Sequence, residues 1–291
     1  MNWIRIVICP MLLVLLTGCF QSDTAIYLRP DGSGYVEITN LMSAEMVDMM
    51  SFMTELAPEE GDVSTAADDT GAADPPGPPD LFSEAEARAA VASMGDGVRF
   101  KSVEPMEKTG FVGSKAVYEF TDITKLRLDA KPDALPADPT AGEPMEELVA
   151  FSFHPSGEKS LLAVRMPDSA SDENDDSSFE DDGSSDLAEG DGVPSDTELE
   201  MLRNMFDGLK FGMRVIPIGK LIETNSIHVA GDEVTLFEID FGALLANPEA
   251  LQQVAAQDEP ESFAEIAELL QSIPGIKINP VEEITIEFAE K

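Results

Sequence analysis

Few side chains in this sequence of 291 residues could carry out chemistry. The cysteines are Cys9 and Cys19, and the histidines are His154 and His228. The histidines lie far apart, no His-Glu-x-x-His motif surrounds either, and a zinc site needs more nitrogen or sulfur ligands than the chain offers. The sequence therefore predicts no metal site, no cofactor and no catalytic residue. Paired carboxylates are abundant, so a carboxylate-dependent hydrolase stays open as an alternative.

The first 17 residues have the pattern of an export signal. They include one basic residue, Arg5, no acidic residue, and an uninterrupted apolar stretch from Met11 to Leu16. This is the charged start, apolar middle and small-residue end of a signal peptide, and it is too short to be a membrane-spanning helix. We therefore expect residues 1–18 to be removed.

The residues at the end of this segment make Cys19 the most informative cysteine. Leu16, Thr17 and Gly18 directly precede Cys19, and together they resemble the lipobox of bacterial lipoproteins. In that motif the cysteine sulfur carries diacylglycerol and the peptidase cuts before the cysteine. The resemblance implies lipidation of Cys19, a tether over residues 19–23, and a membrane partner through the lipid anchor.

The anchor and the charge balance together predict where the protein resides. The chain has 57 acidic and 18 basic residues, a formal net charge of −39, which repels nucleic acid and anionic headgroups. We therefore exclude nucleic acid as a partner and expect attachment through lipid alone. In Gram-negative sorting an Asp after the lipidated cysteine favours the inner membrane. Phe20 stands there, which implies the outer membrane of the bacterial cell envelope if the organism has one.

Hydropathy and turn residues predict an α+β fold over residues 24–291. Residues 57–80 and 168–194 are acidic, proline-rich or both, and are predicted to be disordered insertions because they lack apolar residues to bury. Alternating strands with glycine turns between them predict antiparallel sheets with helices segregated from them. The predicted strands cover residues 25–28, 35–39, 98–101, 116–120, 149–153, 161–166, 213–218, 221–229, 234–239 and 284–288.

Helices are predicted after Ser43, Ser83, Ser195 and Asn247, which are typical N-cap residues. Methionines form two stripes at helical spacing, Met42, Met46, Met49 and Met53 in one and Met201 and Met205 in the other. Two interpretations of the stripes are open. They pack in the core against a sheet, or they line an adaptable apolar groove for a partner or an acyl chain.

Short turn motifs resemble a known family. The motifs are Tyr27 to Gly34, Val215 to Lys220, Thr224-Asn225, and Val229 to Leu236. They are similar to the opening hairpin and the later Pro-Gly, Thr-Asn and Gly-x-x-Val-Thr-Trp pattern of LppM-like bacterial envelope lipoproteins. Here Ile218 separates Pro217 from Gly219, and Leu236 stands where that family has Trp. The resemblance implies an α+β envelope domain, for which lipid binding has been suggested, and no catalytic residue.

The sequence therefore predicts a lipid-anchored envelope lipoprotein whose domain is a non-enzymatic binding or interaction module. Its partner would be a lipid or an envelope protein. A carrier or sensor of an apolar lipid ligand is the main alternative, and a hydrolase is the other. The turn glycines are interpreted as positions that need positive φ and not as ligand contacts.

Overall fold

A computed structural model describes residues 20–48, 52, 83–129, 148–166, 208–247, 267 and 270–290. More than half of these residues lie in β-strands, and the helices among them are short. The predicted α+β fold with segregated helices is therefore wrong, and the described part of the chain is mostly β. The predicted insertions at 57–80 and 168–194 lie outside the described residues.

Twelve strands make up two sheets in the described part of the chain. They are β1 Phe20–Leu28, β2 Gly34–Ser43, β3 Arg99–Lys108, β4 Phe111–Phe120, β5 Ala150–Ser156, β6 Lys159–Arg165, β7 Lys210–Pro217, β8 Lys220–Thr224, β9 Val229–Ala230, β10 Glu233–Asp240, β11 Ile276–Ile278 and β12 Glu283–Ala289. The large sheet has the order β11-β10-β7-β1-β2-β4-β3, with β9 also paired to β10. The small sheet has the order β5-β6-β12-β8.

The strand patterns predicted purely antiparallel sheets, and this prediction is wrong for one strand pair. β1 pairs parallel with β7, from Gln21 opposite Lys210 to Leu28 opposite Pro217, while the other strand pairs are antiparallel. Alternation along a strand reports which residues face a core but not the direction of the neighbouring strand. The long chain between β2 and β7 permits the crossover that a parallel pair requires.

The main core lies between the two sheets, which pack face to face. Alternate residues of the central strands point inward, as in Ile26 and Leu28 of β1 and Ile284, Ile286 and Phe288 of β12, all 0% exposed. These side chains belong to one apolar cluster with residues from both sheets. The period-two pattern of the sequence is thus explained by a β-sandwich with one buried face per sheet. A smaller cluster forms around Ile273, Ile276 and Ile278 beside β11.

The first hairpin forms as predicted, and its turn requires glycine twice. Gly32 has φ of 85°, which L side chains rarely adopt. A Cβ on Gly34 would lie 2.0 Å from the carbonyl oxygen of Tyr27. The β1–β2 connection is therefore a close-packed turn in which both glycines are structural.

Residues 20–23 do not form the predicted tether. β1 begins at Phe20, which lies opposite Met42 of β2, and Asp23 lies between Thr39 and Gly212. Pairing on both sides holds these residues in the large sheet, and hydrophobicity alone did not reveal this because Gln21, Ser22 and Asp23 are polar.

The helix caps are only partly as predicted. Ser83 accepts from the Glu86 amide and caps the helix α1 Glu84–Ala90, and Ser43 accepts from the Met46 amide at the start of helical residues 44–48. Met42, however, is a β2 residue. Asn247 follows the helix α2 Phe241–Leu245 and donates to the Ala243 carbonyl, while Asp240 caps that helix.

Candidate functional site

Exposed apolar side chains are concentrated in one stretch of the described chain. Five large hydrophobic residues are exposed among all described residues. Four of them lie within residues 218–229, which we call the distal segment. They are Ile218, Ile222, Ile227 and Val229, with exposed fractions between 38% and 55%. These four residues lie close together along the chain, and exposed large apolar side chains that form a patch are typical of interaction sites.

The distal segment lies at the end of β1 that is opposite Phe20. The Ile218 amide donates to the Leu28 carbonyl at 2.7 Å, so the segment starts where β1 ends. Val229 pairs with Val234, which lies opposite Val215, and Val215 lies opposite Ile26. A strand rises by about 3.3 Å per residue, which places Ile218 and Val229, the two ends of the segment, about 20 to 30 Å from the start of β1 along the strand.

A strand irregularity falls at the exposed residue Ile222. β8 is an edge strand that pairs only with β12, with Leu221 opposite Phe288 and Glu223 opposite Glu287. Ile222 between them has no opposite residue. An extra residue of this kind bends the edge of a sheet and turns a side chain outward. Ile222 is exposed in alternation with the inward Leu221, and the alternation breaks at Glu223, which is exposed as well.

Hydrogen bonds from the buried side chain of Asn279 hold the backbone of the distal segment in place. Asn279 is 2% exposed, and its Oδ1 accepts from the Ile227 amide at 3.1 Å and from the Ser226 hydroxyl at 2.8 Å. Its Nδ2 donates to the carbonyls of Thr235 and Leu236 at 3.0 and 2.8 Å. One amide side chain therefore links the loop before β9 to β10, and both of its polar atoms are satisfied.

A second amide and a histidine complete this support. Asn225 donates to the Glu283 carbonyl and accepts from the Thr285 amide, which fixes the end of β8 to β12. The Nε2 atom of His228 lies 3.2 Å from the carbonyl oxygen of Ile278. The loop is thus rigidly placed by its own polar residues, and this polar stretch divides the single strand predicted over 221–229 into β8 and β9.

The turn glycines of the resembling motifs are structural, as predicted. Gly231 has φ of 66° in the β9–β10 turn. A Cβ on Gly219 would lie 2.2 Å from the carbonyl oxygen of Ala289. Thr224 accepts from the Ser226 amide, so it too shapes the backbone.

Three described carboxyl groups have a pKa shifted away from that of a general acid, namely Glu238, Asp31 and Asp122. Burial raises the pKa of Glu238, but hydrogen bonds and charge from Lys210 and Lys277 outweigh it and lower that pKa below its usual value. Hydrogen bonds from Ser33 lower the pKa of Asp31, and Thr124 does the same for Asp122. A catalytic acid needs a shift in the opposite direction.

Most of the predicted site residues lie outside the described residues. These are Leu16, Thr17, Gly18, Cys19, Met49, Met53, Met201 and Met205. Met42 and Met46 are both partly exposed, one in β2 and the other in helical residues 44–48. A pocket of about 720 Å³ is present elsewhere, lined by residues between 91 and 97 and between 124 and 127, and neither of these methionines lines it.

Within the described ranges, no group of three or more His, Cys, Asp or Glu residues could hold a metal ion. The same part of the chain contains no helix that is both long enough and apolar enough to cross a bilayer.

Comparisons with known proteins give one match. No protein-family model matches the chain, and no curated protein matches it. Among solved structures, the chain is similar to the folded domain of LppM from Mycobacterium tuberculosis, determined by NMR. The identity is 11%, the TM-score is 0.32, and the match covers 94% of this chain and 92% of that one. Neither fold nor function follows from a match at this TM-score.

Proposed function

We propose that the protein is a lipid-anchored component of the bacterial envelope that binds a protein partner through the distal segment and catalyses no reaction. The observation that carries the binding function is the group of four exposed apolar side chains at 218–229 in a chain of net charge −39. On so acidic a surface, exposed isoleucines contribute nothing to solubility, and a binding role explains them.

The anchoring half of the proposal is supported by the N-terminal sequence. An apolar run that ends in Leu16, Thr17, Gly18 and Cys19 resembles a lipoprotein signal. One acyl chain binds a membrane marginally, whereas two or more hold firmly, so diacylglycerol on Cys19 would suffice without a basic patch.

The proposal that the distal segment binds a partner is supported by the fixed conformation of its backbone. Asn279, Ser226 and Asn225 fix the backbone of the distal segment before any partner arrives. A surface that is already ordered loses less conformational entropy on binding, so a small apolar contact can contribute more affinity.

The position of the distal segment favours protein as the partner over bulk lipid. Ile218 and Val229 lie about 20 to 30 Å along β1 from the residue after Cys19, which is far beyond the reach of their side chains into the headgroup layer. Attachment to the outer membrane is part of the proposal for a Gram-negative cell, because Phe20 and not Asp follows Cys19.

Mass spectrometry tests both halves. The intact mature protein should have a mass that corresponds to residues 19–291 plus diacylglycerol, and an unmodified N-terminus would contradict the anchor. The domain from Phe20 onward, exported and purified without detergent, should show its apoprotein mass under native conditions. It must start at Phe20 because residues 20–23 belong to β1.

The same measurement separates the alternatives. A bound mass in the lipid range would favour a carrier or sensor of an apolar ligand, with the methionines Met42, Met46, Met49, Met53, Met201 and Met205 as a candidate lining. A hydrolase would require a cleft with two facing carboxyl groups, one of raised pKa.

A further inference from the structure

The end of the large sheet at which β1 starts also presents apolar side chains. We call this the proximal end and define it by Phe20, Met42, Met46 and Phe241, all partly exposed. Phe20 lies opposite Met42 in the β1–β2 pair. The rings of Phe20 and Phe241 both contact Phe211, with centroid distances of 6.3 and 5.9 Å. The three rings therefore form a connected group at this end, with Met42 at the register position opposite Phe20 and Met46 four residues after Met42.

The broad outer faces of both sheets are charged. On the large sheet Arg214 pairs with Asp23 and lies 3.5 Å from Glu233, and Glu238 bridges Lys210 and Lys277. On the small sheet Lys159 pairs with Glu287, and Arg165 with Glu283. Neither face suits contact with a bilayer, because charged pairs would lose water there without gaining a partner.

No linker residue lies between the predicted lipidation site, Cys19, and the first residue of β1, Phe20. The Cα atoms of Cys19 and Phe20 are about 3.8 Å apart, as in any trans peptide. Phe20 is already paired in β1, so a lipid on Cys19 would hold the proximal end at the headgroups.

We propose that the anchored domain stands upright on the membrane, with the proximal end inserted into the interface between phospholipid headgroups and acyl chains. This proposal rests on the lipidation of Cys19. The occupant of the proximal end is a phospholipid surface, argued from its continuity with the anchoring residue and from the charge on the alternative faces. Interfacial side chains reach about 5 to 10 Å into this layer, which matches a contact made by the tip of one sheet.

Tryptophan quenching tests the proposal directly, because the chain has one tryptophan, Trp3, within the signal segment. The mature protein without its signal segment therefore has no tryptophan fluorescence. The emission of one introduced tryptophan then reports on one position. Met46→Trp and Phe241→Trp place the reporter at the proximal end, and Ile218→Trp is the matched control at the distal end. Each lipidated full-length variant is reconstituted into vesicles of zwitterionic phosphatidylcholine with brominated acyl chains.

The expected result is that emission from Met46→Trp and Phe241→Trp falls to about half or less and shifts to the blue, while Ile218→Trp is unchanged. Using two proximal positions guards against one variant that fails to fold. Equal quenching at both ends, or no proximal quenching in protein that floats with the vesicles, would overturn the upright contact. Protein that does not float would overturn the lipid anchor itself, so the two failures are distinguishable.

Discussion

The distal segment and the proximal end both present apolar side chains, but they are held in different ways. At the distal segment, hydrogen bonds from Asn279 and Asn225 fix a loop that displays isoleucines. At the proximal end, strand pairing and ring contacts around Phe211 bring Phe20 and Phe241 together. An ordered loop suits recognition of one protein shape, whereas an apolar rim beside an anchor suits a fluid surface. The comparison indicates two different partners for one domain.

Removing the anchor should have the largest effect. If residues 1–19 are replaced by an export signal that is cleaved without lipidation, the domain should leave the membrane fraction, with a fall of about tenfold or more. The proximal contact is too small to hold the acidic domain alone. Flotation of envelopes on a density gradient measures this fraction. Retention on lipid vesicles in the absence of the anchor would mean that the proximal end binds membranes by itself.

Removal of the distal support should cost the most stability. Asn279→Ala removes the hydrogen bonds that this buried side chain makes to the Ile227 amide and to the Thr235 and Leu236 carbonyls. We expect a loss of about 2 to 4 kcal/mol in the free energy of unfolding, measured by denaturant titration. Asn40→Ala is the matched control near the proximal end, because its side chain accepts one bond from Ser22 in a partly buried site. Its cost should be about 1 kcal/mol or less. If Asn279→Ala and Asn40→Ala lowered the free energy of unfolding equally, the distal segment would not be held more firmly than the proximal end.

The ion pairs near the proximal end should contribute less, and their contribution should depend on pH. Glu238 has a lowered pKa in the folded state, so its contribution to stability is present above the unfolded value of about 4.5 and is lost as pH falls through the folded value. Glu238→Gln should therefore cost about 1 kcal/mol at pH 7 and nothing at acidic pH.

Denaturant titrations of wild type and Glu238→Gln between pH 7 and pH 3 check this sign. Glu158→Gln, at an exposed turn residue between β5 and β6, is the control and should follow wild type throughout. A difference between wild type and Glu238→Gln that grows toward acidic pH would show that the Lys210 and Lys277 contacts do not stabilise the carboxylate.

The smallest change in stability is expected at the exposed isoleucines. Ile227→Asp, at a side chain that is 55% exposed, should alter the free energy of unfolding by about 0.5 kcal/mol or less. Partner binding should nevertheless be lost, because a charge would be buried in the contact. Buried Leu162→Asp is the contrasting control, which should unfold the domain. A strongly destabilised Ile227→Asp variant would assign this residue to the core.

Local patterns predicted the strands well because alternation at Ile284, Ile286 and Phe288 reflects burial directly. They did not predict the parallel β1–β7 pair, because the partner of β1 lies almost two hundred residues away in the chain. Nor did they predict a strand at Phe20, since polar Gln21, Ser22 and Asp23 carry no apolar alternation. The helix stripe beginning at Met42 was wrong at its first residue because Ser43 caps a helix that follows a strand.

The candidate site was only partly predictable. Gly231 was predicted as a turn residue, and its φ is positive. Thr224 and Asn225 were placed inside the strand predicted over 221–229, whereas the structure shows that their side chains hold the backbone where β8 ends. The position of Ile222 without an opposite residue depends on a strand irregularity against β12, and the support of Ile227 depends on Asn279, more than fifty residues later. The residues that flank Ile222 and Ile227 in the sequence give no indication of either distant partner, β12 or Asn279. Predictions for Cys19 and the later methionines concern residues outside the described part and remain predictions.

The most direct test of two ends with two partners is paired photo-crosslinking in the native envelope. A photoreactive amino acid is placed at Ile227 in one strain and at Met46 in another, and the adducts are identified by mass. The account predicts a discrete protein adduct at Ile227 and phospholipid adducts at Met46. Phospholipid adducts at Ile227, or the same protein adduct at both positions, would contradict it.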